Sequence, residues 1–182
     1  MIKKCVIIGP ESTGKSTLCK RLAEHYGTLW CPEYARDFLL KNGTDYTYAD
    51  LLTIAKGQIN LEDKTYAALA KLPITQQKKP IPFFIDTDMY VMKVWCDYVF
   101  EKCHAYIEEQ IATRKYDLYL LCRPDLPWVK DDLREYPDLA TREKLFTIYQ
   151  SILQNQSTPW VEIYGDYDER VEMGVKAVEG VG

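Results

Sequence analysis

Gly9-Pro10-Glu11-Ser12-Thr13-Gly14-Lys15-Ser16 lies between an apolar β-branched run, Cys5-Val6-Ile7-Ile8, and a stretch of helical spacing from Ser16 to Tyr26. The octet fits G-x-x-x-x-G-K-[ST] without a gap, and a strand before it with a helix after it is the context in which that pattern binds phosphate. The glycines let the loop curl so that successive backbone N–H groups point inward at phosphate oxygens. The helix that follows adds the positive end of its dipole. Lys15 is then placed for the β- and γ-phosphates, and the Ser16 hydroxyl for Mg2+. Gly9, Pro10, Glu11, Ser12, Thr13, Gly14, Lys15, Ser16 and Thr17 are expected to bind the phosphates of a nucleoside triphosphate. A Gly-rich turn without a ligand is the alternative, and the flanking strand and helix argue against it.

Working outward, residues 3–8 read as a buried strand because they do not alternate. Helical spacing over 16–26 closes at Gly27, and residues 28–31 form a short strand stopped by Pro32. Helices are expected around 35–41 and 48–72, followed by a surface loop over 72–82 that carries Lys78-Lys79. Phe83-Phe84-Ile85 is a third strand ending in Asp86-Thr87-Asp88, and helices follow over 90–100 and 104–114. Residues 117–122 read as a fourth strand, 123–137 as a Pro- and charge-rich loop, 142–155 as a helix, 160–164 as a fifth strand and 168–178 as a closing helix. Strands separated by helices throughout imply a parallel sheet covered on both faces. The fold class is α/β, a three-layer P-loop NTPase fold with a five-stranded parallel sheet. Without an internal repeat or a dividing linker, residues 1–182 are expected to form one P-loop domain with a lid segment at about 123–142.

The 182 residues carry a net charge of −4, and 47% are hydrophobic, an ordinary globular composition. Gripping a nucleic-acid backbone needs clustered Lys and Arg, so no nucleic-acid partner is expected. No apolar run approaches the ~20 residues that cross a bilayer, so no membrane partner is expected and a cytoplasmic address follows. The six cysteines, Cys5, Cys19, Cys31, Cys96, Cys103 and Cys122, lack C-x-x-C spacing, so neither a zinc site nor a redox dithiol is suggested. They are expected to be reduced structural thiols. Whether the chain forms a homo-oligomer is left open by the sequence.

In open α/β sheets the ligand sits beyond the carboxyl ends of the strands, which makes the residues just after each strand informative. Glu33 follows strand two, and Asp86 and Asp88 follow strand three. A kinase needs one carboxylate to orient a metal and one to accept the proton of the attacking hydroxyl. The competing readings are a dipole-supporting acid for Glu33 and an N-cap pair for Asp86 and Asp88. The loop after strand four leads to Lys130, Arg134 and Arg142, the kind of arginines a mobile lid brings to transferring phosphate; a solvated charged loop is the alternative. Trp128 could stack on a substrate ring or plug the core.

GPESTGKSTL, PEYARDFL, IAKGQ, FFIDTDMYVMKVW, YDLYLLCRPDLPWVKDDLR and YGDYDERV together resemble the ribosylnicotinamide kinase domain of the NadR family, over about residues 4–175. That resemblance implies transfer of a phosphoryl group from ATP, with Mg2+, to the ribose 5′-hydroxyl of nicotinamide riboside. It further implies that Glu33 faces the ribose, that Asp86 and Ser16 lie on the metal side, and that Arg134 is the lid arginine. Lys15, Glu33, Asp86 and Arg134 are then the catalytic candidates. Arg36, Asp88, Trp95 and Trp128 join Glu33 on the acceptor side, and residues 164–168 lie near adenine. Asp86 and Asp88 are not separable at this stage. Another nucleoside or vitamin-like alcohol remains an alternative acceptor, and an NTP-dependent regulatory module an alternative class. Longer NadR proteins carry a DNA-binding helix-turn-helix and an adenylyltransferase domain before the kinase, whereas here the P-loop begins at residue 9. His25 and His104 are isolated and cannot form a paired-His nucleotidyltransferase signature. Neither repression nor adenylyl transfer is therefore expected.

Overall fold

A computed structural model of the chain describes residues 1–73 and 80–180. Lys78-Lys79 and most of the surface loop expected over 72–82 lie outside the described residues. In chain order the elements are β1 (Ile2–Ile8), α1 (Lys15–Tyr26), β2 (Trp30–Cys31), α2 (Tyr34–Asn42), α3 (Tyr48–Ala70) and β3 (Ile81–Asp86). They continue with α4 (Met89–Phe100), α5 (Ala105–Thr113), β4 (Leu118–Cys122), α6 (Leu139–Gln154), β5 (Trp160–Ile163) and α7 (Tyr167–Gly180). The five strands are all parallel, in the order β2-β3-β1-β4-β5. The expected fold class is the observed one.

Side-chain alternation along the central strands sends alternate residues to opposite faces. Val6, Ile8, Phe83, Ile85, Tyr119 and Leu121 face Val94 of α4 and Leu145, Tyr149 and Leu153 of α6. Cys5, Ile7, Phe84, Leu118, Leu120 and Cys122 face Leu18, Cys19 and Leu22 of α1 and Val178 of α7. Each fully buried Leu, Ile or Phe contributes about 1.5–3 kcal/mol. The three middle strands, buried on both faces, therefore make the rigid part of the molecule. A separate cluster joins α2, α3, α4 and α5 through Ala35, Leu51, Ile54, Met89, Met92 and Ile107, and it walls one side of the strand-carboxyl edge.

Among the boundaries that differ from the sequence reading are those of β3 and α6. β3 starts at Ile81 and includes Pro82, which pairs in register with Lys3. The Ile81 N–H donates to Met1 O, so alternation turns the Pro82 nitrogen away from β1 and toward β2. β2 reaches only Phe84 and Ile85, and no ladder bond is lost to the proline. The second difference concerns α6, which begins at Leu139 behind an Asp138 N-cap that accepts from the Thr141 N–H at 2.7 Å. Arg142 thus belongs to the helix rather than the lid loop and is buried, with Nε and Nη1 unpartnered.

All six cysteines are free thiols and only Cys103 is part-exposed; burial pushes the Cys5, Cys31 and Cys96 thiols up to about 12, which leaves them poor nucleophiles. Among the described residues no helix is long and apolar enough to cross a membrane.

Candidate active site

The P-loop curls over the carboxyl end of β1 because its glycines permit it. Gly9 adopts φ +141°, and a Cβ there would meet the Cys122 carbonyl oxygen at 2.6 Å. Gly14 caps α1 in the left-handed region at φ +76°. Thr13 Oγ1 donates to the Pro10 carbonyl at 2.8 Å inside the loop. The Lys15 ammonium donates to that same carbonyl at 2.8 Å, so the cation rests on the loop that would cradle phosphate.

Arg170 braces this loop from behind. Only 1% exposed, it donates from Nη1 to the Thr13 carbonyl at 3.0 Å, from Nε to Gly165 O at 2.8 Å and from Nη2 to Arg123 O at 3.1 Å, and it pairs with Asp125. Asp125 in turn accepts from the Gly165 N–H at 2.7 Å. One guanidinium thereby ties the P-loop to the turns after β4 and β5. Sequence reasoning gave Arg170 no role, because a charged residue in the first turn of a helix reads as solvated.

The three acids after the strands have different fates. Asp86, fully buried at the end of β3, accepts from the Ser16 hydroxyl at 2.5 Å through Oδ2, while its Oδ1 has no partner. Burial first, and the nearby Glu33 second, push its carboxyl up to about 7, against the pull of Lys15 and the hydrogen bond from Ser16. An orphaned carboxylate oxygen beside a P-loop serine suits Mg2+, which is typically held by one or two carboxylates together with phosphate oxygens. The described residues contain no group of three or more His, Cys, Asp or Glu able to hold a metal by themselves, and Mg2+ typically completes its shell with waters and phosphate oxygens.

Asp88 has another task. Its Oδ1 caps α4 by accepting from the Tyr90 and Val91 N–H groups at 2.9 and 3.4 Å, and its Oδ2 accepts from the Tyr119 hydroxyl at 2.9 Å. With both oxygens engaged inside the core, Asp88 is not among the residues that line the cavity. Glu33 sits at the N-cap position of α2 yet makes no capping bond. Instead its Oε1 accepts from the Thr87 hydroxyl at 3.3 Å, and the side chain lines the cavity. Gln58 holds these strand ends together: it accepts from the Tyr34 N–H at 2.7 Å and donates to the carbonyls of Pro32 and Asp86 at 3.3 and 3.4 Å. Gly57 beside it leaves room for the Tyr34 ring, which a Cβ would strike. The IAKGQ string thus positions Glu33 and Asp86, a function invisible without knowing what α3 packs against.

A cavity of about 270 Å³ opens along this edge. The P-loop from Gly9 to Thr17 forms its floor, and Glu33, Arg36, Trp95 and Arg134 all line it. Tyr98, Tyr136 and Tyr149 complete an aromatic wall that the sequence reading did not single out. Trp128 is absent from the lining. Its indole N–H donates to Glu11 Oε1 at 3.2 Å, so it neither stacks in the cavity nor fills the core. Glu11 also accepts from the Tyr136 and Glu135 N–H groups at 2.8 and 2.9 Å, and Ser12 Oγ accepts from the Val129 N–H at 3.2 Å. Arg36 pairs with Asp131 at 3.0 Å, and Arg134 donates to the Val129 carbonyl. The segment after β4 is therefore laid over the P-loop and fastened to it and to α2.

The chain resembles known proteins across this whole arrangement. It is 28% identical over 174 residues to the trifunctional NAD biosynthesis/regulator protein NadR of Escherichia coli K12, covering 93% of this chain and 40% of that protein. It is likewise 28% identical to NadR of Salmonella typhimurium LT2, covering 98% and 42%. The chain thus spans about two-fifths of the length of these relatives. A crystal structure of NadR in complex with NR superposes with a TM-score of 0.72 at 20% identity, over 99% of this chain and 49% of that one. Deoxyadenosine kinase from M. mycoides gives 0.53 at 12% identity over 98% and 100%, so the two chains share a fold. A family model described as AAA domain matches residues 4–170, from β1 through the P-loop and the strand-end acids to Arg170, and the chain belongs to that family.

Proposed function

We propose that this chain is an ATP-dependent small-molecule kinase that phosphorylates the ribose 5′-hydroxyl of nicotinamide riboside, giving nicotinamide mononucleotide. The observation that carries this reading is a single cavity joining the phosphate cradle, through Glu33, to a wall of Trp95, Tyr98, Tyr136 and Tyr149. A phosphoryl donor and a flat-ringed acceptor fit its two halves. The similarity to NadR supports the choice of acceptor.

In this mechanism Lys15 leaves the Pro10 carbonyl and turns to the β,γ-phosphates, balancing charge that the loop N–H groups already attract. Ser16 and Asp86 would hold Mg2+, which neutralises phosphate charge and orients the γ-phosphoryl group when bound. Glu33, free of capping duty, accepts the 5′-hydroxyl proton as the oxygen attacks. Residues 123–138 act as the lid: Arg134 approaches the transferring group while Arg36 meets the acceptor. Trp128 fastens the lid rather than touching substrate.

The pyridinium of nicotinamide riboside is favoured over a neutral ring by Glu33 and Glu135 in the lining and by cation–π attraction to the aromatic wall. Such attraction amounts to about 0.5–2 kcal/mol, or roughly a 2- to 30-fold preference. The test is a panel of nucleosides with ATP and Mg2+, read by product mass. Nicotinamide riboside is expected to show a higher kcat/KM than adenosine, cytidine, uridine or thymidine, and to exceed its uncharged reduced form. A natural nucleoside outcompeting it would overturn the acceptor assignment. ATP hydrolysis without acceptor phosphorylation would favour a regulatory ATPase instead.

A further inference from the structure

Thr87 stands between Asp86 and Asp88 in the left-handed region at φ 75°, a conformation that a β-branched side chain rarely adopts. It is 1% exposed, and its N–H still donates to the Ile7 carbonyl at 3.3 Å, so the β3–β1 ladder runs up to the residue and breaks there. The reversal has a clear geometric effect. It leaves Asp86 facing Ser16 on the P-loop side and turns Asp88 inward to α4 and Tyr119. Glycine would make the same reversal without strain. The backbone alone therefore does not explain a threonine here.

The hydroxyl does. It donates to Glu33 Oε1 at 3.3 Å. A threonine hydroxyl has one proton to give. Asp86 has Ser16 as its donor, whereas Thr87 is the only side-chain donor that Glu33 has among the described residues. We infer that Thr87 is a positioning residue, held strained at the end of β3 so that its hydroxyl fixes one oxygen of Glu33 and leaves the other free for the acceptor hydroxyl. This deepens the kinase reading and rests on it.

Three variants test it with nicotinamide riboside, ATP and Mg2+: Thr87→Ser, Thr87→Val and Thr87→Gly. Thr87→Ser keeps the hydroxyl and should hold kcat within about threefold of the wild type. Thr87→Val keeps the shape and Thr87→Gly keeps the backbone turn, yet both should lose about 10- to 100-fold in kcat, the scale of a misplaced reacting group. KM for ATP should change less than about threefold in each, because the P-loop is untouched. Thr87→Gly should also melt at or above the wild-type temperature, since it relieves the strain. Thr87→Val with wild-type kcat, or Thr87→Ser as impaired as Thr87→Val, would overturn the inference. So would a Thr87→Gly protein that melts well below the wild type, by removing the strain premise. If the wild type phosphorylates no nucleoside, the kinase reading falls and takes Thr87's role with it. The melting comparison still reports separately on the strain.

Discussion

Glu11→Ala should release the lid while leaving the fold intact. The Glu11 carboxylate accepts three hydrogen bonds from that segment: from Trp128 Nε1 at 3.2 Å, Glu135 N at 2.9 Å and Tyr136 N at 2.8 Å. A bond to a charged acceptor contributes about 1.5–3 kcal/mol net when sheltered, and about 1 kcal/mol where water can replace it. These donors lie at a part-open rim, so the lower figure applies and three bonds total about 3 kcal/mol. Bonds in one cluster are not additive, and the Arg36–Asp131 pair and the Ser12–Val129 contact persist. A loss of about 2–3 kcal/mol remains, equivalent to a roughly 30- to 150-fold larger population with the lid detached. Amide hydrogen exchange at Glu135 and Tyr136 should accelerate by that factor, and trypsin should cut faster at Lys130 and Arg134. Glu11→Gln keeps one acceptor oxygen without charge and should fall between. The hydrogen bonds to the Glu11 carboxylate all come from this one segment, so the melting temperature should move only slightly. Exchange within about threefold of the wild type would refute the latch.

Three further outcomes are expected. Lys15→Ala should cost roughly 10³-fold or more in transfer, the scale of removing a cation from transferring phosphate, and activity within tenfold of the parent would take the P-loop out of the mechanism. Glu33→Gln should bind ATP normally and lose about 10²- to 10⁴-fold in kcat; a collapse in melting temperature with kcat preserved would mark it as structural. Asp88→Asn keeps an acceptor for the α4 N–H groups and should retain most activity where Asp86→Asn loses it. Burial raises the Asp88 carboxyl from 3.8 to about 7, so folding holds a proton that the unfolded chain releases between those values. Wild-type stability should therefore fall relative to Asp88→Asn as pH rises from 4 to 7, and a difference independent of pH would contradict this.

The elements were legible because their signals are local. Uninterrupted apolar runs mark β1, β3 and β4, and Pro32 and Gly27 punctuate their neighbours. The P-loop was legible because its chemistry needs consecutive residues. What escaped depends on direction and long-range packing. Asp86 and Asp88 look alike in sequence, and only the left-handed turn at Thr87 sends one to Ser16 and the other to Tyr119. Arg170 and Gln58 are polar residues on helices, and no periodicity shows that they are buried against loop carbonyls. Pro82 argued for a later start to β3, because the two-residue length of β2 that excuses it is a property of the neighbouring strand.

The Arg170 brace has a bearing on how this scaffold could change. A guanidinium that holds Thr13, Arg123, Asp125 and Gly165 at once makes three sequence-distant loops inherit one another's geometry. The resemblance to NadR implies that the turn after β5 lies near the donor base, and swapping that turn would shift the carbonyl that anchors Arg170, and with it the phosphate cradle. Donor choice and phosphate grip are then not separable traits. Chimeras that exchange residues 164–168 alone should lose affinity for every nucleotide, whereas those that carry residues 123–125 and 170 along should keep it. A lineage changing its donor would have to move those segments together.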